Sequence, residues 1–355
     1  MNEGMNSITP ILLYSVALLL SFFVTLVLVP QAKKIAEYVG AIDTPNHRRV
    51  NTECVPSMGG VAMFAGFIIS LLAVAVFSLK FDLFKLDYVR ELSVLIVGCL
   101  AIVGLGVIDD SIGVKAHLKL MIHLGIGLYT ACMGLKVDSI YIPFMQEVQL
   151  GVFSIPITVL WIVLVVNAIN FIDGLDGLAA GIVFLTSLFI IYYGVKNGHF
   201  LLGLVYSGLL GSLIGFLFFN FNPAKLFMGD SGAFFLGYII ATGALVQEGG
   251  TVETNIWVPV LALGLPILDF LTAVARRILN KSYFVPDKDH IHHKLLKKGL
   301  SHKTVVLFMY CISVIFGMAA LIVSNGKAYE VFPTIAFLGC FVLIFLNMLD
   351  IFKKT

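Results

Sequence analysis

The chain has 355 residues, of which 59% are hydrophobic (AVILMFWYC) and only 12% charged, and its net charge is +2. Soluble domains average about 45–50% apolar residues with Gly counted and about 25% charged ones, so a soluble globular enzyme, a disordered chain and a disulfide scaffold are excluded. Twenty-three Lys and Arg against 21 Asp and Glu leave no basic footprint for nucleic acid. The composition predicts an all-α polytopic membrane protein.

Runs of about 17–25 apolar residues are long enough to cross a bilayer as helices. The first, 8–30, is too long for a cleaved signal peptide and lacks the basic leader. A basic loop follows, Asp43-Thr44-Pro45-Asn46-His47-Arg48-Arg49, and then Pro56-Ser57-Met58-Gly59-Gly60. Its two glycines open the run 59–79 and permit close helix approach. The third run, 92–108, ends on Asp109-Asp110. Adjacent carboxylates repel, partial burial disfavours both charges, and a helix C-terminus disfavours them again. A shared cation or proton relieves the pair, so Asp109 and Asp110 are candidates for Mg²⁺ binding or general-base work.

Runs 119–136 and 154–169 come next. The latter leads into Asn167-Ala-Ile-Asn170-Phe-Ile-Asp173-Gly-Leu-Asp176-Gly-Leu. On a helix, Asn167, Asn170 and Asp173 share one slowly drifting face. The glycines after Asp173 and Asp176 break the helix and let backbone approach a ligand. Four oxygen-bearing side chains there suit a hard cation and a phosphorylated ligand. Beyond runs 178–195 and 200–219 lies Asn222-Pro-Ala-Lys-Leu-Phe227-Met-Gly-Asp230-Ser-Gly. Asp230, just before run 233–247, fits either a helix N-cap or a metal carboxylate at a phosphate-binding helix end. Phe227, three residues before Asp230, is a candidate to stack on a base, the alternative being plain packing, since the chain has 29 Phe.

Run 256–275 ends in Arg276-Arg277, followed by Phe284-Val-Pro-Asp-Lys-Asp-His290-Ile-His292-His293. Three histidines within four residues suggest zinc, but no Cys lies nearby and the flanks are cationic. A cationic cluster facing phosphates is the expected role. Runs 304–323 and 331–349 bring the spans to about eleven. The five Cys are scattered without close pairs and are expected to be small core residues.

With the N-terminus outside, the inner loops hold 17 of the 23 Lys and Arg and the outer loops 6. Positive-inside bias therefore gives N-out, C-in, in agreement with an odd number of spans. Most Asp, Asn, His and Arg lie in those same inner loops, so one active site on the cytoplasmic loops is predicted, within a single integral membrane domain, 1–355. A secondary transporter, the rival reading, places ion sites near the midplane between repeated halves, and no repeat is visible. The spaced Asp pattern of CDP-alcohol phosphotransferases is also absent after Asp176.

Taken in order, DTPNHRR, PSMGG, Asp109-Asp110, NAINFIDGLDGL, LFMGDSG and FVPDKDHIHH resemble the polyprenyl-phosphate N-acetylhexosamine-1-phosphate transferases, across about residues 30–305. Each motif alone is weak, whereas six in sequence are specific. That family includes the peptidoglycan phospho-MurNAc-pentapeptide translocase, the alternative within it. The Asp289-His290-Ile291-His292-His293 ending and the eleventh span resemble the UDP-GlcNAc branch instead. The resemblance implies transfer of GlcNAc-1-phosphate from UDP-GlcNAc to undecaprenyl phosphate, giving undecaprenyl-diphospho-GlcNAc and UMP. The setting implied is the bacterial cytoplasmic membrane, at the first membrane step of wall teichoic acid, O-antigen or common-antigen synthesis.

The resemblance also implies roles. Mg²⁺, or Mn²⁺, falls to Asp230 and Asn170. Asp109 acts on the lipid phosphate, with Asp110 and Asp173 in the catalytic group. Lys119 contacts phosphates, Phe227 stacks on uracil and Asp176 meets the uridine. His290, His292 and His293 approach the diphosphate and sugar, and Asn167, Arg276 and Arg277 complete the substrate-binding set. Many members carry Pro-Lys near 116–117, where this chain has Ala116-His117, leaving Lys119 and Lys115 as the local cations. The expected partners are UDP-GlcNAc, undecaprenyl phosphate, the lipid bilayer and, in a homodimer, a second copy.

Overall fold

The computed structural model describes residues 2–44, 54–80, 86–141, 147–246, 256–279 and 290–349. The motif residues 45–49 and 284–289 lie outside the described residues. In chain order, α1 (Asn2–Val39) leads through β1 (Ile42–Asp43) and β2 (Val55–Pro56) into α2 (Gly59–Lys80). Then come α3 (Leu86–Ile112), α4 (Ala116–Cys132), β3 (Ser139–Tyr141) and β4 (Glu147–Gln149). The rest is helical: α5 (Ser154–Ile172), α6 (Leu178–Asn197), α7 (Phe200–Asn220), α8 (Gly229–Gly243), α9 (Trp257–Ala262), α10 (Gly264–Leu279), α11 (Ile291–Lys297), α12 (His302–Asn325) and α13 (Ala328–Met348). Both strand pairs are antiparallel, with Ile42 opposite Pro56 and Ser139 opposite Gln149.

Among the described residues, eight helices are long and apolar enough to cross a membrane. The other three expected spans are helical but shorter. One is α4, with 17 residues. Another is α8, with 15, in which every residue from Ser231 to Gly243 is buried. The apolar character of α8 is met by protein on all sides. The third is split at Leu263 into α9 and α10. Pro266 lacks the N–H that would bond the carbonyl of Ala262, and the Thr186 hydroxyl donates to that carbonyl instead, at 3.2 Å.

The core is built around α7 and α8. Helix α7 packs on α1, α2 and α6, and α8 on α2, α3 and α5. Lipid tails are as apolar as side chains, so membrane helices associate through close fit and small residues. Gly60 is such a contact: a Cβ there would collide with the backbone of Gly232. The expectation for the cysteines is corrected. Cys99 alone of the five is buried, and Cys132, Cys311 and Cys340 are exposed on their helices, where an apolar bilayer suits a small thiol as well as a core does.

Candidate active site

The polar loop residues converge at one end of the bundle, around a cleft of about 690 Å³. The ends of α3, α5 and α7, the start of α8 and the β1–β2 pair all contribute to its lining. The β1–β2 wall is fastened by main-chain bonds. The Phe227 amide donates to the Pro56 carbonyl, and the Gly59 amide to the Phe227 carbonyl, both at 2.9 Å. This places Ser57 beside Phe227 in a parallel bridge, with both on the cleft.

At the cleft floor the two adjacent aspartates part company. Asp109 Oδ2 accepts from Lys119 Nζ at 2.6 Å, and the same ammonium donates to Asp230 Oδ2 at 3.1 Å. Asn170 Nδ2 donates to Asp230 Oδ1 at 2.7 Å. Carboxylates from α3 and α8 thus meet at one cation from α4, and α5 joins them through Asn170. Asp110 turns the other way and caps α8: the amides of Asp230 and Ser231 donate to its two oxygens at 2.7 and 3.1 Å. A helix start leaves these amides without partners of its own. Gly229 permits the fit, because it adopts φ +71 and a Cβ there would strike the Asp110 carboxylate. Asp110 therefore caps the helix start that carries Asp230.

The Gly-Leu-Asp176-Gly loop is clamped from two sides. Asp176 Oδ2 accepts from Asn222 Nδ2 at 2.9 Å and from the Ala224 amide at 3.1 Å. The Asp176 amide donates to His302 Nε2 at 3.2 Å, and the Gly177 amide to Asn220 Oδ1 at 3.0 Å. Tyr310 of α12 donates to the Gly177 carbonyl. Asn220, Asn222, His302 and Tyr310 were absent from the sequence-derived set. Asn222 opens a motif in which no role falls to it and Asn220 stands just before that motif, but His302 and Tyr310 follow all the motifs, and their partners lie more than 120 residues earlier.

This geometry offers three things: a cation-bridged carboxylate cluster at the end of membrane helices, a helix N-terminus, and a polar cleft above. The profile of Glycosyl transferase family 4 matches residues 92–248. Over 88% of this chain and 86% of the relative, the sequence is 39% identical to a probable undecaprenyl-phosphate N-acetylglucosaminyl 1-phosphate transferase from Bacillus subtilis. The chain is a polyprenyl-phosphate N-acetylhexosamine-1-phosphate transferase family member. A decaprenyl-phosphate N-acetylglucosaminephosphotransferase of Mycobacterium tuberculosis is 33% identical over 83% of this chain and 79% of its own. A phospho-N-acetylmuramoyl-pentapeptide-transferase of Clostridium botulinum is 32% identical over only 54% of this chain and 60% of its own.

Of the residues the family resemblance pointed to, the structure brings Asp109, Asp110, Asn170, Asp173, Asp176, Phe227, Asp230 and His293 onto the cleft, with Lys119 bonded beneath. Five others stand away from its lining. Asn167 Nδ2 donates to the Val163 carbonyl one turn back at 2.7 Å, and the side chain packs toward His123 rather than the cleft. Three-residue spacing on a 3.6-residue helix turns each step by about 60°, enough to carry Asn167 off the face that Asn170 uses. Arg276 is buried in α10, and the Arg277 guanidinium lies 5.0 Å from the Phe171 ring centre, a cation–π distance.

His290 faces Asp269, and His292 is 1% exposed against Gly174. Burial first, and then the neighbouring His293, push the His292 imidazole down to about 3. His292 is therefore neutral near pH 7, and the cationic cluster expected from sequence does not extend to it.

Proposed function

We propose that this protein transfers GlcNAc-1-phosphate from UDP-GlcNAc to undecaprenyl phosphate, leaving undecaprenyl-diphospho-GlcNAc and UMP. The observation that carries the reading is the Asp109–Lys119–Asp230–Asn170 cluster, standing where membrane helices end and the cleft opens. A polyprenyl phosphate reaches that level from the bilayer, and a nucleotide sugar reaches it from water. The names of the Bacillus and Mycobacterium relatives support a polyprenyl phosphate acceptor and an N-acetylglucosamine donor.

In the proposed reaction, a lipid phosphate oxygen attacks the β-phosphorus of UDP-GlcNAc. A new P–O bond forms, the bond to the bridging oxygen breaks, and UMP departs with that oxygen. Both reactants are anionic, so charge compensation is the main task. Lys119 supplies one fixed cation, and Asp109 holds it in place. Phe227 and the clamped Asp176 loop border the space for the nucleotide.

Mg²⁺ belongs to the proposal. Among the described residues, no three His, Cys, Asp or Glu side chains form a closed cage. Mg²⁺ commonly takes one or two carboxylates, with waters and substrate phosphates as its other ligands. Asp230 and Asn170 fit that partial donor set. Bound there, the ion would neutralise charge on the diphosphate. Also proposed are eleven spans with the N-terminus outside, an inner-membrane location and a cytoplasm-facing cleft, supported by the 17-to-6 cation split.

The test is purified protein in lipid, undecaprenyl phosphate and a panel of UDP-sugars, with UMP release followed. UDP-GlcNAc is expected to be used in preference to UDP-MurNAc-pentapeptide, and chelation of divalent metal to stop turnover. Preference for the pentapeptide donor would assign the peptidoglycan reaction instead. Turnover that persists in chelator would remove the metal from the mechanism.

A further inference from the structure

We propose that Asp269 is a positioning residue for the histidine wall of the cleft. Its buried carboxylate holds the His290 imidazole and the first amide of α11 together, and so sets where His293 stands. Asp269 is 1% exposed and lies in the apolar first half of α10. A carboxylate in such surroundings needs partners on both oxygens, and it has them. Oδ2 is 2.8 Å from His290 Nδ1, and Oδ1 accepts from the Ile291 amide at 2.8 Å.

These two bonds control direction as well as place. An ionised carboxylate only accepts, so His290 carries a proton on Nδ1 and turns Nε2 away from Asp269. The ring is thereby fixed in both tautomer and plane. His292 lies parallel to it, at 5.8 Å and 6°, and His293 packs on His292 with ring centres 4.3 Å apart. Of these three, His293 lines the cleft. Helix α11 has only seven residues, too few to be stable alone. Its position comes from Ile291 and Leu295 in the core and from this anchor.

The inference uses the proposed reaction only as its assay. Asp269→Asn keeps the size and an acceptor for the Ile291 amide but removes the charge. The KM for UDP-GlcNAc is expected to rise about tenfold, the scale of one charge-assisted hydrogen bond, with kcat changed far less. If Asp269 acts through the wall, adding Asp269→Asn to His293→Ala changes KM little further. Effects that multiply, or a fall in melting temperature with KM unchanged, would overturn the proposal.

The second arm needs no variant. ¹⁵N spectra of histidine-labelled wild-type protein are expected to show His290 protonated at Nδ1, and an unprotonated Nδ1 overturns the proposal whatever the variants do. Wild-type turnover is the control for the functional reading. Were it absent for every UDP-sugar, that reading would fail, while the spectra would still judge Asp269.

Discussion

The two ends of the helix bundle both carry charge, but they arrange it differently. At the end away from the cleft, partners lie closer together in sequence. Lys136 pairs with Asp138 two residues on, Ser154 donates to Asp138 across 16, and Arg90 donates to the Met133 carbonyl across 43. At the cleft end, Lys119 reaches Asp230 across 111 residues, Asp110 reaches its amide across 120, and Asp176 meets His302 across 126. Local pairs form wherever a turn brings two side chains together. Long-range convergence of buried charge requires the whole fold to hold it, because burial penalises each charge that lacks a partner. The contrast separates charge that merely tolerates the membrane boundary from charge gathered for chemistry.

The strongest way to test this contrast is at Asp230. Asp230→Asn is expected to lower turnover about 100-fold or more, the range for removing one preorganised electrostatic group, while the protein stays folded in detergent. Near wild-type UMP release would sink the metal assignment. Lys119→Ala comes next, with an expected loss of about 10- to 100-fold in kcat/KM, since it removes the ammonium that bridges Asp109 and Asp230. Asp110→Asn should act mainly on stability. Loss of its charge at the start of α8 is expected to lower stability by about 1–2 kcal/mol, as for a lost helix cap, visible as a lower melting temperature, with activity falling less than in Asp230→Asn. The smallest effect is reserved for the far end. Lys136→Ala should leave turnover unchanged and shift stability by less than about 1 kcal/mol. If Lys136→Ala damages turnover as much as Lys119→Ala does, the contrast between the two ends is wrong.

Much of the cleft was legible in the sequence, because a polar residue in an apolar chain is conspicuous. Asp109, Asn170, Asp173 and Asp230 stand at the ends of apolar runs and all reach the cleft. What spacing does not encode is direction. Asp109 and Asp110 are adjacent, yet one serves Lys119 and the other caps α8. Asn167 belongs to the same polar repeat as Asn170 and bonds back to its own helix. Residues whose partners are remote were harder still. His302 carries no motif, and its role depends on an amide 126 residues earlier. Asp269 did carry a signal, since a lone carboxylate inside an apolar run calls for a partner, but the identity of that partner exists only in the fold. The helix count was legible in outline. The break at Leu263 follows from Pro266, whereas the enclosure of α8 by protein has no counterpart in its own residues.

The wall formed by the β1–β2 pair has a further consequence. Its attachment to the Phe227 segment runs through peptide groups: Phe227 to Pro56, Gly59 to Phe227, and Gly60 to Met228. Ser57 and Phe227 line the cleft, and their side chains carry none of those bonds. Scaffold and contact surface are thus separate at this wall, and one can be altered without dismantling the other. A lineage, or an engineer, can exchange the groups at positions 57 and 227, and so change what the cleft presents, while the frame that holds them stays intact.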